Sequence, residues 1–339
     1  VIVGRTNLVG DPLVPSRLLL ACHLQELPAR VLRLTGDENL DVLPEIRRRW
    51  ETDQADRGPL PIPAADSSRM PPHITVTAFR TYLACPYRFY LKHVCGLKAV
   101  DDIDAELSAG QFGDLIHETL RRMHLDPVGN SADAEGIEIF LRETLEQVAE
   151  EKYGPHPAAA IRVQIAQAQD RLATFAVRQA EHVAEGWETR HVEVEATLDV
   201  GQLFAGQPLP IRILGRIDRI DYHAQSDRWA IWDYKTSDGG AHPVQNHFQG
   251  KKGWIDLQLP LYRHLVRALG IDAEAQVGYI LLPKSGKDIA FVPAQFSAVQ
   301  LLEADAEALP FCRVAQLLEA MPLPIPEILD RAGDLGILL

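Results

Sequence analysis

Asp218, Asp233 and Lys235 are of the types, and at the spacing, that could work on a phosphate ester. All three fall within Gly215–Lys235, which reads Gly-Arg-Ile-Asp-Arg-Ile-Asp-Tyr-His-Ala-Gln-Ser-Asp-Arg-Trp-Ala-Ile-Trp-Asp-Tyr-Lys. Runs of β-formers, Ile211–Tyr222 and Arg228–Thr236, flank a polar His-Ala-Gln-Ser-Asp segment, which predicts a hairpin. With Gln225-Ser226 as a two-residue loop, Asp218 stands opposite Asp233, Ile220 opposite Ile231, and Tyr222 opposite Trp229. The last two pairs match apolar with apolar, whereas a one-residue slip would send each carboxylate to the face opposite its partner. In the favoured register the carboxylates share a face with Cβ atoms about 5 Å apart. Lys235, two residues past Asp233, points the same way.

Carboxylates this close repel, and each resists ionisation unless a cation lies between them. A hard divalent ion such as Mg²⁺, ligated by oxygen at about 2.1 Å, removes that penalty. An adjacent ammonium then orients or deprotonates a water and stabilises charge building on a phosphate. The competing reading is a solvated hairpin with scattered surface charge.

Other elements must position this hairpin. Ile74–Leu97 opens with Thr75-Val-Thr77 as a cap signal and continues as an aromatic-rich helical segment. Asp104–Met123 has Leu107, Leu115, Ile116 and Leu120 at helical spacing and carries Gly113 one turn before His117. Gly113 would let backbone or substrate come near. Ala132–Tyr153 and Pro157–Trp187 read as packing helices without identifiable chemistry. His191–Val200 alternates as a half-exposed strand in which Glu193 and Glu195 share a face; a third acid near the metals is one reading of that face, and a solvated strand face is the favoured one. Thr236–Gly253 is polar and reads as a mobile loop over the site, its Lys251 and Lys252 able to reach phosphates. A helix from Leu257 to about Ala268 sets Gln258 and Tyr262 on one face. Gln276–Leu282 and Asp288–Pro293 read as strands, and Ser297–Met321 as helix. From the His117 helix onward, the two packing helices aside, the order is helix, three strands, helix, two strands. That order gives an α/β fold with a mixed central sheet flanked by helices.

The pattern Asp218 … Asp233-Tyr234-Lys235 resembles the signature of the PD-(D/E)XK nuclease superfamily. The wider string Gly215-x-Ile-Asp-Arg-Ile-Asp … Trp-Asp-Tyr-Lys-Thr-Ser looks like its RecB/AddB-type branch. Tyr-Leu-Ala-Cys-Pro-Tyr-Arg-Phe-Tyr-Leu (82–91), Gly113-x-x-x-His117-x-x-Leu120 and Gln258-x-x-x-Tyr262 are similar to that branch's flanking motifs and stand in the same order. The resemblance implies a restriction-endonuclease-like core and Mg²⁺- or Mn²⁺-dependent hydrolysis of DNA. Its exonuclease-type activity would belong to a helicase–nuclease in double-strand-break repair and recombination, with a helicase subunit or the rest of the same polypeptide as partner. It implies His117, Asp218, Asp233 and the Tyr234 carbonyl as metal ligands, and Asp218, Asp233 and Lys235 as catalytic. Gln258 and Tyr262 would line the DNA path, with Lys251, Lys252 and Arg88 as phosphate contacts. Iron–sulfur members add three C-terminal cysteines to the one at the Cys85 position. No such cluster follows here, so no iron–sulfur cluster is expected, and Cys85 reads as a buried structural thiol.

By the same resemblance, residues 1–72 read as the tail of a preceding helicase-like domain plus linker, with Gly10–Arg17 carrying the likeness and Glu51–Pro72 the linker. Residues 73–321 then form the nuclease domain and 322–339 a tail. The start at Val1, without an initiator Met, suggests an excised piece. The net charge of −13 over 339 residues runs against the basic footprint of nucleic-acid enzymes. Either the acidic excess lies away from the cleft or a partner delivers the DNA. Cys22, Cys85, Cys95 and Cys312 show no zinc spacing and fit a reducing, cytoplasmic compartment. No apolar run nears the roughly 20 residues of a membrane span. The rival function is a catalytically degenerate nuclease fold kept as a DNA-binding or partner-docking module. A further rival is a hydrolase of a different phosphate ester.

Overall fold

Six strands form one mixed sheet: β1 (His73–Thr75), β2 (Trp187–Asp199), β3 (Arg212–His223), β4 (Arg228–Lys235), β5 (Gln276–Leu281) and β6 (Ala290–Pro293). This computed structural model describes residues 23, 25–35, 73–97, 106–199, 212–237, 242–272 and 274–308. Two compact units divide the chain, Val1–Pro61 and Ile62–Leu339. Helix α1 (Leu27–Thr35) belongs to the first. Helices α2 (Ala78–Ala84), α3 (Pro86–Phe89), α4 (Ala109–Leu125), α5 (Ala134–Tyr153), α6 (Ala159–Ala184), α7 (Pro243–His247), α8 (Gln258–Leu265) and α9 (298–308) belong to the second. The strings expected at Gly10–Arg17, Glu51–Pro72 and 322–339 lie outside the described residues.

The hairpin forms in the expected register, with Ile220 opposite Ile231 and Tyr222 opposite Trp229. Its loop is longer than the two residues expected: Ala224–Asp227 connect the strands, and Asp227 takes a positive φ of 49°. Tyr222 Oη donates to the Asp227 carboxylate (2.9 Å), which holds that turn. β2 runs antiparallel along the whole of β3, while β4–β5 pair in parallel and β5–β6 antiparallel. β1, hidden in the sequence by its brevity, pairs in parallel with Arg212–Leu214.

Each face of the sheet carries its own apolar core. On one, Ile217, Ile220, Ile231 and Val277 pack with Phe79 and Tyr82 of α2, Leu259 and Leu265 of α8, and Ala304 of α9. On the other, Trp232, Tyr234 and Ile280 pack with Leu115, Ile116 and Leu120 of α4, Leu141 of α5, and Leu172 and Phe175 of α6. Ser108 and Gln111 close a capping box that starts α4 five residues later than expected. Thr77 is the N-cap of α2, yet its hydroxyl meets Thr75 Oγ1 (3.1 Å) rather than a helix N–H. Cys85, expected buried, is exposed where α2 breaks before Pro86. The 236–253 segment is in part a pinned helix and not a mobile loop throughout: His247 at the end of α7 is buried and held by Tyr279 and Asp256. The expected helix at 297–321 is described over 298–308.

The feature that shapes the site is a break in the pairing of β3. On the edge away from β2, this strand pairs with β1 up to Leu214 and with β4 from Arg219 onward. Between them, residues 215–218 face no strand on that edge among the described residues. Side chains take over the backbone bonds: Tyr262 Oη donates to the Arg216 carbonyl (2.8 Å), and the Tyr234 N–H donates to Asp218 Oδ2 (2.9 Å). The alternation of β3 also slips here. Ile213 and Ile217 share a face as period two demands, but Ile220 shares it as well. Arg219 and Asp221 lie on the other face, so the phase slips between Ile217 and Arg219, at Asp218. Opposite them in β2, Glu193 has a positive φ of 49°.

Candidate active site and metal centre

Asp218 reaches across the gap, occupying with its carboxylate the place a neighbouring strand's carbonyl would take. Because the gap opens to both faces, His117, on α4 behind the sheet, meets it: Nδ1 lies 3.8 Å from Asp218 Oδ2 and 3.5 Å from Glu193 Oε1. The ligand atoms of His117, Glu193 and Asp218 lie within 4.8 Å of one another. Asp233 stands outside that trio. Its Oδ1 accepts from Gln258 Nε2 (2.7 Å), and its Oδ2 lies 2.6 Å from Lys235 Nζ. Lys235 shares Asp233's face, as expected. The Lys235 carbonyl accepts from the Leu282 N–H, just past the end of β5 (2.8 Å). Successive peptide groups alternate along a strand, so the Tyr234 carbonyl is directed toward the gap side with its N–H.

Glu193 is an addition to the expected residues. Read as solvated, it is instead largely buried, with Oε2 2.8 Å from Arg216 Nε, while Glu195 is exposed. Strict alternation would give both glutamates one fate; the slipped phase at Glu193 separates them, and no residue type in the sequence signals it. Gly113 is less constrained than its motif position suggests, since a Cβ there would sit 3.6 Å from Thr236 Oγ1, an ordinary contact.

The electrostatics show too little positive charge. Burial, then the charge of Asp233, push the Asp218 carboxyl up to about 7, against His117 and the Tyr234 N–H. Burial opposes protonation of His117, but the hydrogen bond to Glu193 and the charges of Asp218 and Asp233 win, so its pKa is raised. Lys235 is likewise raised, burial being outweighed by Asp233 and Asp218. Two carboxylates and an imidazole converging on one point, one carboxyl unable to ionise at its ordinary pH, form a donor set that fits a hard divalent cation.

A model of the PD-(D/E)XK nuclease superfamily matches residues 73–327. The chain belongs to that superfamily. Its six-stranded mixed sheet between helices is the corresponding restriction-endonuclease-like fold. An ATP-dependent helicase/deoxyribonuclease subunit of Staphylococcus aureus strain JH9 is 27% identical over 183 residues, 49% of this chain and 16% of that protein. The same protein of strain NCTC 8325 / PS 47 matches to the same extent. The chain therefore spans a small part of the length of the curated relatives it matches.

Within this nuclease fold, Gln258 and Tyr262 are buried rather than lining an open path. Gln258 Nε2 also meets Tyr262 Oη (2.8 Å), so the pair links Asp233 to the Arg216 carbonyl. Arg88 and Lys252 are exposed, and the side chain of Lys251 lies outside the described residues. Helix α6, read as mere packing, carries polar groups that brace the hairpin from behind, as does His124 of α4. Arg219 donates from Nη1 to Gln179 Oε1 on α6 (2.7 Å) and from Nε to Asp221 Oδ1 (2.7 Å). His182 Nε2 meets Asp221 Oδ2 at 2.9 Å, and His124 Nε2 meets Tyr234 Oη at 3.0 Å. Arg171 ties α6 to the ends of β4 and β5 through the carbonyls of Thr236 and Leu282 (both 2.8 Å). No described helix is long and apolar enough to cross a membrane.

Proposed function

We propose that this PD-(D/E)XK chain is a Mg²⁺- or Mn²⁺-dependent deoxyribonuclease of exonuclease type. It would act at DNA ends opened by a helicase, on a partner subunit or the same polypeptide, in cytoplasmic double-strand-break repair and recombination. The observation that carries the reading is the convergence of His117, Glu193 and Asp218 beside the Asp233–Lys235 pair.

In this mechanism His117, Glu193, Asp218, Asp233 and the Tyr234 carbonyl would hold the metal. When bound, a divalent ion supplies neutralising charge, polarises the phosphate and lowers the pKa of water. Lys235, anchored to Asp233, orients the attacking water and balances the charge that grows on phosphorus. Gln258 fixes the Asp233 carboxylate so that its second oxygen keeps its direction. Tyr262 holds the strand that bears Asp218. Arg88, Lys251 and Lys252 contribute phosphate contacts at the approach.

The test is cleavage of end-labelled single-stranded DNA in Mg²⁺. Asp233→Ala is expected to lose activity by about 100-fold or more with an unchanged melting temperature; equal rates for variant and wild type would overturn the assignment. In calorimetric titration His117→Ala is expected to weaken Mn²⁺ binding by around 10- to 100-fold. A wild type that binds metal but cuts nothing would identify a docking module instead.

A further inference from the structure

Lys235 is backed by a closed ring of groups, three of which, Tyr279, His247 and Asp256, have no role in the mechanism above. Its ammonium lies 5.0 Å from the centre of the Tyr279 ring. Tyr279 is buried and sits beside Asp233 in the parallel β4–β5 ladder. Its hydroxyl lies 2.7 Å from Nε2 of His247, whose Nδ1 lies 2.9 Å from the Asp256 carbonyl oxygen. A carbonyl only accepts, so Nδ1 carries the proton and Nε2 accepts from the tyrosine hydroxyl. Burial, against the charge of Asp256, keeps His247 below its ordinary pKa and neutral. Asp256 Oδ1 then accepts from the Gln258 N–H (2.9 Å), and the Gln258 amide returns to Asp233 Oδ1 (2.7 Å).

The ring fixes the plane of an aromatic face against the amine. An ammonium is drawn to such a face by the ring quadrupole, without a directed bond to a second carboxylate. Asp233 therefore takes one of the three N–H donors, and the aromatic face holds the amine in place without drawing it away from the gap. A carboxylate in the position of Tyr279 would do the reverse. We propose that Tyr279, oriented by His247, is a positioning residue for Lys235. Its effect on catalysis rests on the nuclease reading; its hold on the amine does not.

Two variants separate ring from hydroxyl: Tyr279→Leu removes the face, and Tyr279→Phe keeps it. In metal-free protein, acylation of Lys235 by an amine-reactive ester, read by peptide mass spectrometry against Lys252, is expected to rise about three- to thirtyfold in the leucine variant. The phenylalanine variant is expected to stay within about twofold of wild type. In Mg²⁺, kcat for single-stranded DNA is expected to fall by a similar factor in the leucine variant. KM and calorimetric Mg²⁺ affinity are expected to hold, a split that general loosening would not give. Wild-type labelling in Tyr279→Leu overturns the proposal, as does equal damage in both variants. If the leucine variant does not fold, Tyr279→Met, which also removes the aromatic face, should raise labelling by about three- to thirtyfold, and no rise there overturns it. A wild type that labels as expected yet does not cleave sinks the nuclease reading alone.

Discussion

Asp218 shows how a single side chain can be costly to the fold and useful to the site. Buried beside Asp233, its carboxyl is pushed up to about 7, against about 3.9 in an unfolded chain. A carboxyl raised in this way favours the folded state fully only below the unfolded value. That contribution is lost as pH climbs through about 7. Metal-free protein should therefore lose stability from this group between about pH 4 and 7. Calorimetric melts in EDTA are expected to show Asp218→Asn overtaking wild type by a few degrees at pH 8 while matching it near pH 4. Added Mg²⁺ should raise the melting temperature of wild type but not of the variant. Parallel pH curves for the two would show that Asp218 ionises freely.

At the scale of elements, the site exists because two strands part and one helix moves in. Gly215, first residue of the gap, has the Tyr262 ring and the Leu265 side chain of α8 where its Cβ would be. The missing Cβ leaves room for the Leu265 side chain where α8 lies against β3, with Tyr262 reaching the Arg216 carbonyl and Gln258 reaching Asp233. Gly215→Val is expected to push α8 outward and destabilise the fold by about 1–3 kcal/mol. Cleavage should drop further than stability explains, because Asp233 loses its amide partner. A urea melt together with a rate assay below the transition checks this; a variant with reduced stability but an intact rate would detach α8 from the chemistry.

For the whole molecule, charge and division both bear on function. The chain carries 47 acidic against 34 basic residues. Part of the excess is on α5, where exposed Glu135, Glu138, Glu143, Glu146, Glu150 and Glu151 outnumber Arg142 and Lys152, and α5 packs against α4 and α6. That placement favours the first of the two readings of the net charge, with acid set away from the gap. Among the described residues, both apolar cores are built from residues at or beyond Ile74, inside the unit Ile62–Leu339. A chain starting at Ile62 is thus expected to melt within about 2 °C of the full chain and to keep its Mg²⁺-dependent stabilisation. Loss of either on truncation would show that the first unit completes the fold.

Much was legible before any coordinates. Apolar matching fixed the hairpin register, because a slip of one residue would have reversed every side chain between core and solvent. The shared face of Asp233 and Lys235 followed from strand alternation, and the order of amphipathic helices and strands followed from periodicity. What lay beyond the sequence depends on where periodicity fails. The three-residue β1 is too short to show alternation, Glu193 enters the site only because its strand slips phase, and Tyr262 turns inward because β3 has a stretch without a neighbour. His117 meets Asp218 through that same gap, from the far side of the sheet. Local residue types set strands, helices and their faces. The place where a strand loses its partner, and so opens a seat for an ion, is decided by the whole sheet closing on its helices.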